Sequence, residues 1–215
     1  GYITDILSET GGLDTTDITN TATFSYNYEG NPRPPLNDTD VVSAENIVFQ
    51  KSASPATVSP GTTVNYAVAF QITEYDSVAA LTITDTMSAG LDYTTSSGTI
   101  TIPGFPPSTP ITPTITTNPD GTLTLFFDLT AALSGQTIPA GVAGTLNYQG
   151  VVRQIYRNSA PPVTVSAADP LPNSVIGNFT LTSGAQFQNT SGATVVVEPI
   201  SINKEVFSTP RNGIG

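Results

Sequence analysis

The sequence predicts an all-β, Ig-like β-sandwich module from a tandem repeat array, on three observations. Short runs rich in Val, Ile, Thr, Tyr and Phe are divided by turn residues, with 18 glycines and 18 prolines among 215 residues, the pattern of a many-stranded sandwich. No stretch of helical period is long enough to compete. The third observation is an internal repeat: Asn20 precedes Lys51 by 31 residues (51 − 20) and Asn173 precedes Lys204 by 31 (204 − 173), so both pairs are offset by 153 (173 − 20 and 204 − 51). The chain has only these two lysines. Each continues an alternating apolar row, Ile47 and Phe49 before Lys51, Ile200 and Ile202 before Lys204, and self-similarity at a fixed spacing marks a repeat array.

The repeat divides the chain into three parts. Residues 1–45 read as the last strand and linker of a preceding module, 46–198 as one complete module, and 199–215 as the first strand of a following one. "EGNPRPPLNDTD", Pro-rich and acidic, marks the first boundary, and the second lies near "SGATVVVEPIS". Within the module, "TVNYAVAFQI" turns Val64, Tyr66, Val68 and Phe70 inward, and "AALTITDTM" sets Leu81, Ile83 and Asp85 on one face. "GTLTLFFDL" follows the hairpin signal "NPDG", and "GTLNYQGVVRQIY" supplies another long strand. "PGFPPSTPITP" cannot donate a regular ladder and reads as an edge loop or excursion. In "NSVIGNFTL", Asn173, Val175, Gly177, Phe179 and Leu181 share a face, while Asn178 points outward. The flank strands "TATFSYNY" and "ATVVVEP" read as exposed strands that need partners from adjacent modules or other chains.

Composition removes most function classes. Seventeen acidic residues against six basic ones give a net charge of −11, which repels nucleic acid and anionic membranes. The chain has no Cys and no His, so thiol nucleophiles, disulfides, Ser-His-Asp triads and the usual zinc sites are all absent. No cofactor or metal is expected. Asp38, Asp40 and Glu45 offer oxygen ligands near a boundary but lack the Asp-rich glycine loop of a calcium site, and no carboxylate pair suggests a glycosidase. Asn37, Asn178 and Asn189 each open a glycosylation tripeptide, a motif common by chance. No run approaches a membrane span, and "GYITDILSETGG" lacks the regions of a signal peptide, so the chain reads as a mature segment.

Three polar groups remain on apolar strand faces: Lys51, Asp85 and Asn173. A lone buried Lys or Asp is costly, because desolvation disfavours its charged form. Brought together, they can relieve one another: a neutral amine, a protonated acid and a carboxamide are the reactants of a Lys-to-Asn isopeptide bond, with Asp85 shuttling protons and ammonia leaving. Each residue also has a plainer reading. Lys51 can snorkel from a strand end, Asp85 can cap a turn, and Asn173 can satisfy backbone groups after Pro172.

"KSASPATVSPGTTVNYAVAF", "LTITDTMSAGLDY" and "PNSVIGNFTL" resemble the bacterial surface repeat filed as domain of unknown function 11, and the related isopeptide-forming domains of Gram-positive fimbrial shafts. The resemblance covers about residues 46–200, with the end-strand pattern again in "ITNTATFSYNY"; "DTMSAGL" departs from the family's "DTLPAGL" in the turn and keeps the acid. It implies a first-strand Lys51 joined to a last-strand Asn173 with help from Asp85. The repeat offset separately offers Asn20 and Lys204 as an intermolecular or inter-module pair. The expected function is a structural repeat of an extracellular bacterial or archaeal fibre, stalk or surface layer, partnered by neighbouring repeats or copies of itself. It is no enzyme beyond a single-turnover, autocatalytic cross-link. The alternative is an adhesin module that holds a glycan or host protein through loops such as Pro103 to Pro113.

Overall fold

The computed structural model describes residues 15–45 and 47–198. Residues 15–45 carry β1 (Thr15–Phe24), β2 (Asn27–Tyr28), β3 (Asn31–Pro32) and β4 (Leu36–Glu45). There follow β5 (Ile47–Ser54), β6 (Thr57–Val58), β7 (Thr63–Ile72), β8 (Val78–Met87), β9 (Leu91–Tyr93), β10 (Thr99–Thr101), β11 (Thr109–Pro110), β12 (Thr114–Thr117) and β13 (Leu123–Asp128). A single helical turn, α1 (Leu129–Ala132), then leads to β14 (Ala143–Val152), β15 (Pro170–Leu181) and β16 (Gln186–Val197).

Two sheets enclose one core. The first has the order β11-β10-β14-β7-β5, with β9 also on β14; the second has the order β12-β13-β8-β15-β16-β6. The period-2 rows of the sequence fill the space between them, since alternate residues of a strand face one side. Val64, Tyr66, Val68, Phe70, Leu81 and Ile83 are all buried, as the sequence predicts. The sheets also meet along one side, where Ser191 Oγ on β16 accepts the Lys51 backbone N–H at 2.9 Å and Asn189 Nδ2 donates to the Ile47 carbonyl at 2.8 Å. Asn189 is thereby buried, which closes that glycosylation tripeptide to modification, while Asn37 and Asn178 are exposed.

The turn "NPDG" closes the β12–β13 hairpin as expected. Gly121 has φ +85°, and a Cβ there would lie 2.2 Å from the Arg157 carbonyl oxygen, so the position needs glycine twice over. The Pro-rich stretch contributes the short edge strand β11, anchored by buried Ile102 and Ile111. One expectation fails here. "ATVVVEP" is no exposed flank, because its residues up to Val197 belong to β16, paired with β15 on one side and β6 on the other. Among the described residues no helix is long and apolar enough to cross a membrane.

Gly177, in the middle of β15, marks a close approach between the sheets: a Cβ would sit 2.3 Å from Phe49 Cζ. Phe49 is itself fully buried and packed on Phe70 at 6.0 Å, so it has no room to yield. Gly177→Ala is expected to destabilise the sandwich by about 1–3 kcal/mol through overpacking, measurable as a lower denaturation midpoint.

The β1–β4 pair forms a separate two-stranded sheet, tipped by the β2–β3 pair and, among the described residues, not paired with either large sheet. Every side chain from Asn20 to Asp40 is exposed. Lys204 lies outside the described residues, as do the rest of 199–215 and residues 1–14.

Candidate functional site

Lys51, Asp85 and Asn173 come from different strands and both sheets. Lys51 lies on β5, in register with Val68 of β7. Asp85 lies on β8 opposite Val175 of β15, and Asn173 lies two residues earlier on β15, opposite Met87. Each takes an inward position in its strand's alternation, which turns all three into the core. They are 5%, 0% and 1% exposed respectively, and with Asn189 they are the buried polar or charged residues among those described. The plainer readings do not describe this arrangement: Lys51 does not snorkel, and Asp85 sits mid-strand rather than at a turn. Asn173 lies on the penultimate strand rather than the last, since β16 follows it.

The three converge on a fourth residue, Tyr148 of β14. Its hydroxyl donates to Asp85 Oδ2 at 2.5 Å and accepts from Lys51 Nζ at 2.7 Å and from Asn173 Nδ2 at 3.0 Å. Lys51 Nζ also contacts Asp85 Oδ2 directly. The amine lies 5.3 and 5.4 Å from the ring centroids of Tyr66 and Tyr148, which stack on each other at 5.3 Å. Phe127 packs on Tyr148 at 5.5 Å. Asp85 Oδ1 and Asn173 Oδ1 are both buried with no hydrogen-bond partner. Two acceptors cannot satisfy each other, but a protonated Asp85 has the donor that a carboxamide oxygen lacks here.

Electrostatics favour that state. Burial lowers the Lys51 pKa to about 8, against the opposing charge and hydrogen bond of Asp85. Burial raises that of Asp85, against Lys51 and the hydrogen-bonding hydroxyl and carboxamide groups. Desolvation thus drives both members of the pair toward their neutral forms. Tyr148 is pushed well up by burial and by the Asp85 charge, and keeps its proton. Burial also raises Tyr66, with Asn173 pulling the other way, although the Tyr66 hydroxyl makes no hydrogen bond of good geometry.

These shifts set a pH dependence for any variant that keeps a free Lys51, such as Asn173→Ala. The folded amine titrates near 8 and the unfolded one near 10.5. Between those values the unfolded chain holds the extra proton, so stability should rise with pH across that window. Asp85 works oppositely: its folded pKa lies above 3.8, so its contribution falls as pH rises from 3.8 through the folded value. Denaturant midpoints measured from pH 7 to 11 check the Lys51 limb. An amide-bonded Lys51 would show no such limb.

Tyr148 is the site residue that sequence reading misses. It stands in "GTLNYQGVV" in an inward row with Leu146, Gly150 and Val152, where a tyrosine passes for ordinary core. The available signal is its hydroxyl: a phenol in an otherwise apolar row needs a buried partner. Asn20, exposed on β1 and in register with Asp40, is not part of this cluster. No group of three or more His, Cys, Asp or Glu that could hold a metal occurs among the described residues.

Fold and site together define a β-sandwich with a buried Lys–Asp–Asn cluster, joined through Tyr148, that spans its two sheets. No protein-family model matches the chain, and no curated protein sequence matches it. Among solved structures, it is similar to the full-length major pilin SpaD of Corynebacterium diphtheriae, at 13% identity over 72% of this chain and 35% of that one, TM-score 0.48. It is similar to BcpA, the major pilin subunit of Bacillus cereus, at 16% identity over 77% and 50%, TM-score 0.47. It is also similar to the collagen-binding domain of a Staphylococcus aureus adhesin, at 12% identity over 69% and 96%, TM-score 0.40. The chain spans about a third to a half of the length of the two pilins.

Proposed function

We infer that the chain is an extracellular structural module of a surface fibre, stalk or layer, whose sandwich is closed by an isopeptide bond between Lys51 and Asn173. The observation that carries this reading is the convergence of a buried amine, carboxyl and carboxamide on the Tyr148 hydroxyl, with the Asp85 and Asn173 Oδ1 atoms left unpartnered. In the neutral state, the Lys51 amine attacks Cγ of Asn173 while the Asp85 carboxyl donates to Oδ1 and stabilises the tetrahedral centre. The amine proton passes through Asp85 to Nδ2. The Cγ–Nδ2 bond then breaks, an Nζ–Cγ amide remains, and ammonia leaves. The ionisable buried amine is thereby replaced by a neutral amide, and Asp85 is left as a neutral carboxyl. The resemblance to fimbrial isopeptide-forming domains and to the domain-of-unknown-function-11 repeat points the same way, and the cysteine-free chain has no disulfide to serve as a covalent tie.

Intact mass of the purified chain under denaturing conditions tests it. A mass one ammonia below the sequence value is expected; the full sequence mass would overturn the cross-link. Tyr148→Phe keeps the ring stacking but removes the hydroxyl that positions Asn173 and Asp85. Losing a buried hydrogen-bond partner costs about 1–3 kcal/mol, so bond formation should slow by roughly 5- to 150-fold. A time course of mass after refolding measures this.

A second reading, an adhesin module for a glycan or host protein, has one observation in its favour. A shallow depression of about 430 Å³ lies across the first sheet, lined by Ser52, Ser54, Asn65, Thr99, Asn147 and Gln149 among others. Uncharged hydroxyls and carboxamides are the chemistry that meets sugar hydroxyls. Glycan-array binding that Gln149→Ala abolishes would support this reading.

A further inference from the structure

The β1–β4 hairpin repeats the register of the β15–β16 hairpin at the same offset of 153 that relates Asn20 to Asn173. Under the offset of 153, Asn20 opposite Asp40 becomes Asn173 opposite Ala193. Eight successive pairs correspond in this way, from Asp17 opposite Ser43 to Phe24 opposite Leu36, and from Pro170 opposite Val196 to Gly177 opposite Asn189. A one-residue slip in either hairpin would turn its inner set outward, so the match fixes which face of β1–β4 corresponds to the core face of β15–β16. On β15 that face is Leu171, Asn173, Val175 and Gly177, all buried. Its counterparts by position are Ile18, Asn20, Ala22 and Phe24.

From Asn20 to Asp40, where the hairpin's side chains are described, this face is exposed. Phe24 is 63% and Leu36 61% exposed. Phe24 stacks on Tyr26 at 5.7 Å, itself exposed along with Tyr28. Four large apolar side chains in one short stretch form the kind of patch that soluble proteins keep for an interface. Asp38, opposite Ala22, shares the face with Asn20, and its charge suits a lysine from whatever covers it.

We propose that this hairpin completes a second β-sandwich, built outside residues 47–198, and presents Asn20 to a lysine of that sandwich as Asn173 is presented to Lys51. The proposal rests on the Lys51–Asn173 reading for its chemistry. The acceptor is a sandwich of the same topology that needs a last hairpin. It is not the 47–198 sandwich of another copy, for a steric reason. Phe24 occupies the position of Gly177, where even a Cβ would come within 2.3 Å of Phe49. The acceptor's first strand must therefore carry a smaller residue where Phe49 stands here. At that position of the repeat the later segment has Ile202 (202 − 153 = 49). The bond balances as before: Nζ–Cγ forms, Cγ–Nδ2 breaks, and ammonia leaves with the amine proton.

The test is peptide mapping of the polypeptide isolated from its native source. The Asn20 peptide should be recovered branched, one ammonia light, on a lysine other than Lys51. A linear Asn20 peptide, or a branch to Lys51, would overturn the proposal. The Asn173 peptide is read separately, so a linear Asn173 with a branched Asn20 sinks only the Lys51–Asn173 bond. In native polypeptide carrying Phe24→Ser and Leu36→Ser, the Asn20 branch should fall from the dominant species to undetectable while the Asn173 branch stays. Its persistence would show that this face is not the docking surface.

Discussion

Lys51→Ala is expected to give a chain of full sequence mass that melts roughly 10–20 °C below the wild type. The bond between Lys51 and Asn173 closes a loop of 122 residues (173 − 51), and chain-entropy bookkeeping of the kind used for disulfides gives about 5 kcal/mol for such a closure. For a domain of this size, each 1 kcal/mol moves the melting temperature by about 2–4 °C. The variant also leaves Asp85 buried without its amine, which adds to the loss. Asn173→Ala separates the two effects, because it removes the bond but keeps the contacts among Lys51, Asp85 and Tyr148. Calorimetry and intact mass on the three chains check the result. A wild type and Lys51→Ala chain that both carry their full sequence masses would show that no bond forms.

Asp85→Ala should abolish the cross-link while leaving both reactants in the chain. Asp85 is the group that contacts Lys51 Nζ and Tyr148 and that burial drives toward a protonated acid. Without it, nothing carries the proton from amine to leaving nitrogen, a role worth about 10²- to 10⁴-fold in rate, and the developing oxyanion loses its donor. The amine would also be left buried beside an empty carboxyl site. Asp85→Asn fills that site and can donate a hydrogen bond but cannot shuttle a proton, so it too should show the full sequence mass. Substantial ammonia loss in Asp85→Asn would assign the proton transfer to another group.

The position of the bond bears on the mechanical role proposed for the module. β5 opens the sandwich and β15 is its second-last strand, so the tie spans all the strands between them. Tension entering along β5 would pass through the amide into β15 and on to β16, which the hairpin turn and the β15–β16 ladder both join to it. That ladder pairs eleven residues from Pro170 to Thr180. Its antiparallel bonds would share the load, while the inner sheets stay closed.

Sequence alone determined the strand faces, because a period of two needs only the order of residues. Lys51, Asp85 and Asn173 were legible as three polar breaks in apolar rows, and the offset of 153 was legible because the chain has only two lysines. Three things were not. The meeting of the three groups depends on which strands pair: β8 lies beside β15, 90 residues apart in the middle of their ladder (175 − 85), and no local pattern encodes a contact at that separation. Tyr148 was hidden because a tyrosine in an apolar row looks like core until its hydroxyl is seen to bridge Lys51, Asp85 and Asn173. "ATVVVEP" reads as a free flank because no local pattern shows that it folds back on β15, and its second neighbour β6 is only Thr57–Val58. Residue order fixes which way a side chain turns; only the closed sandwich decides what it turns toward.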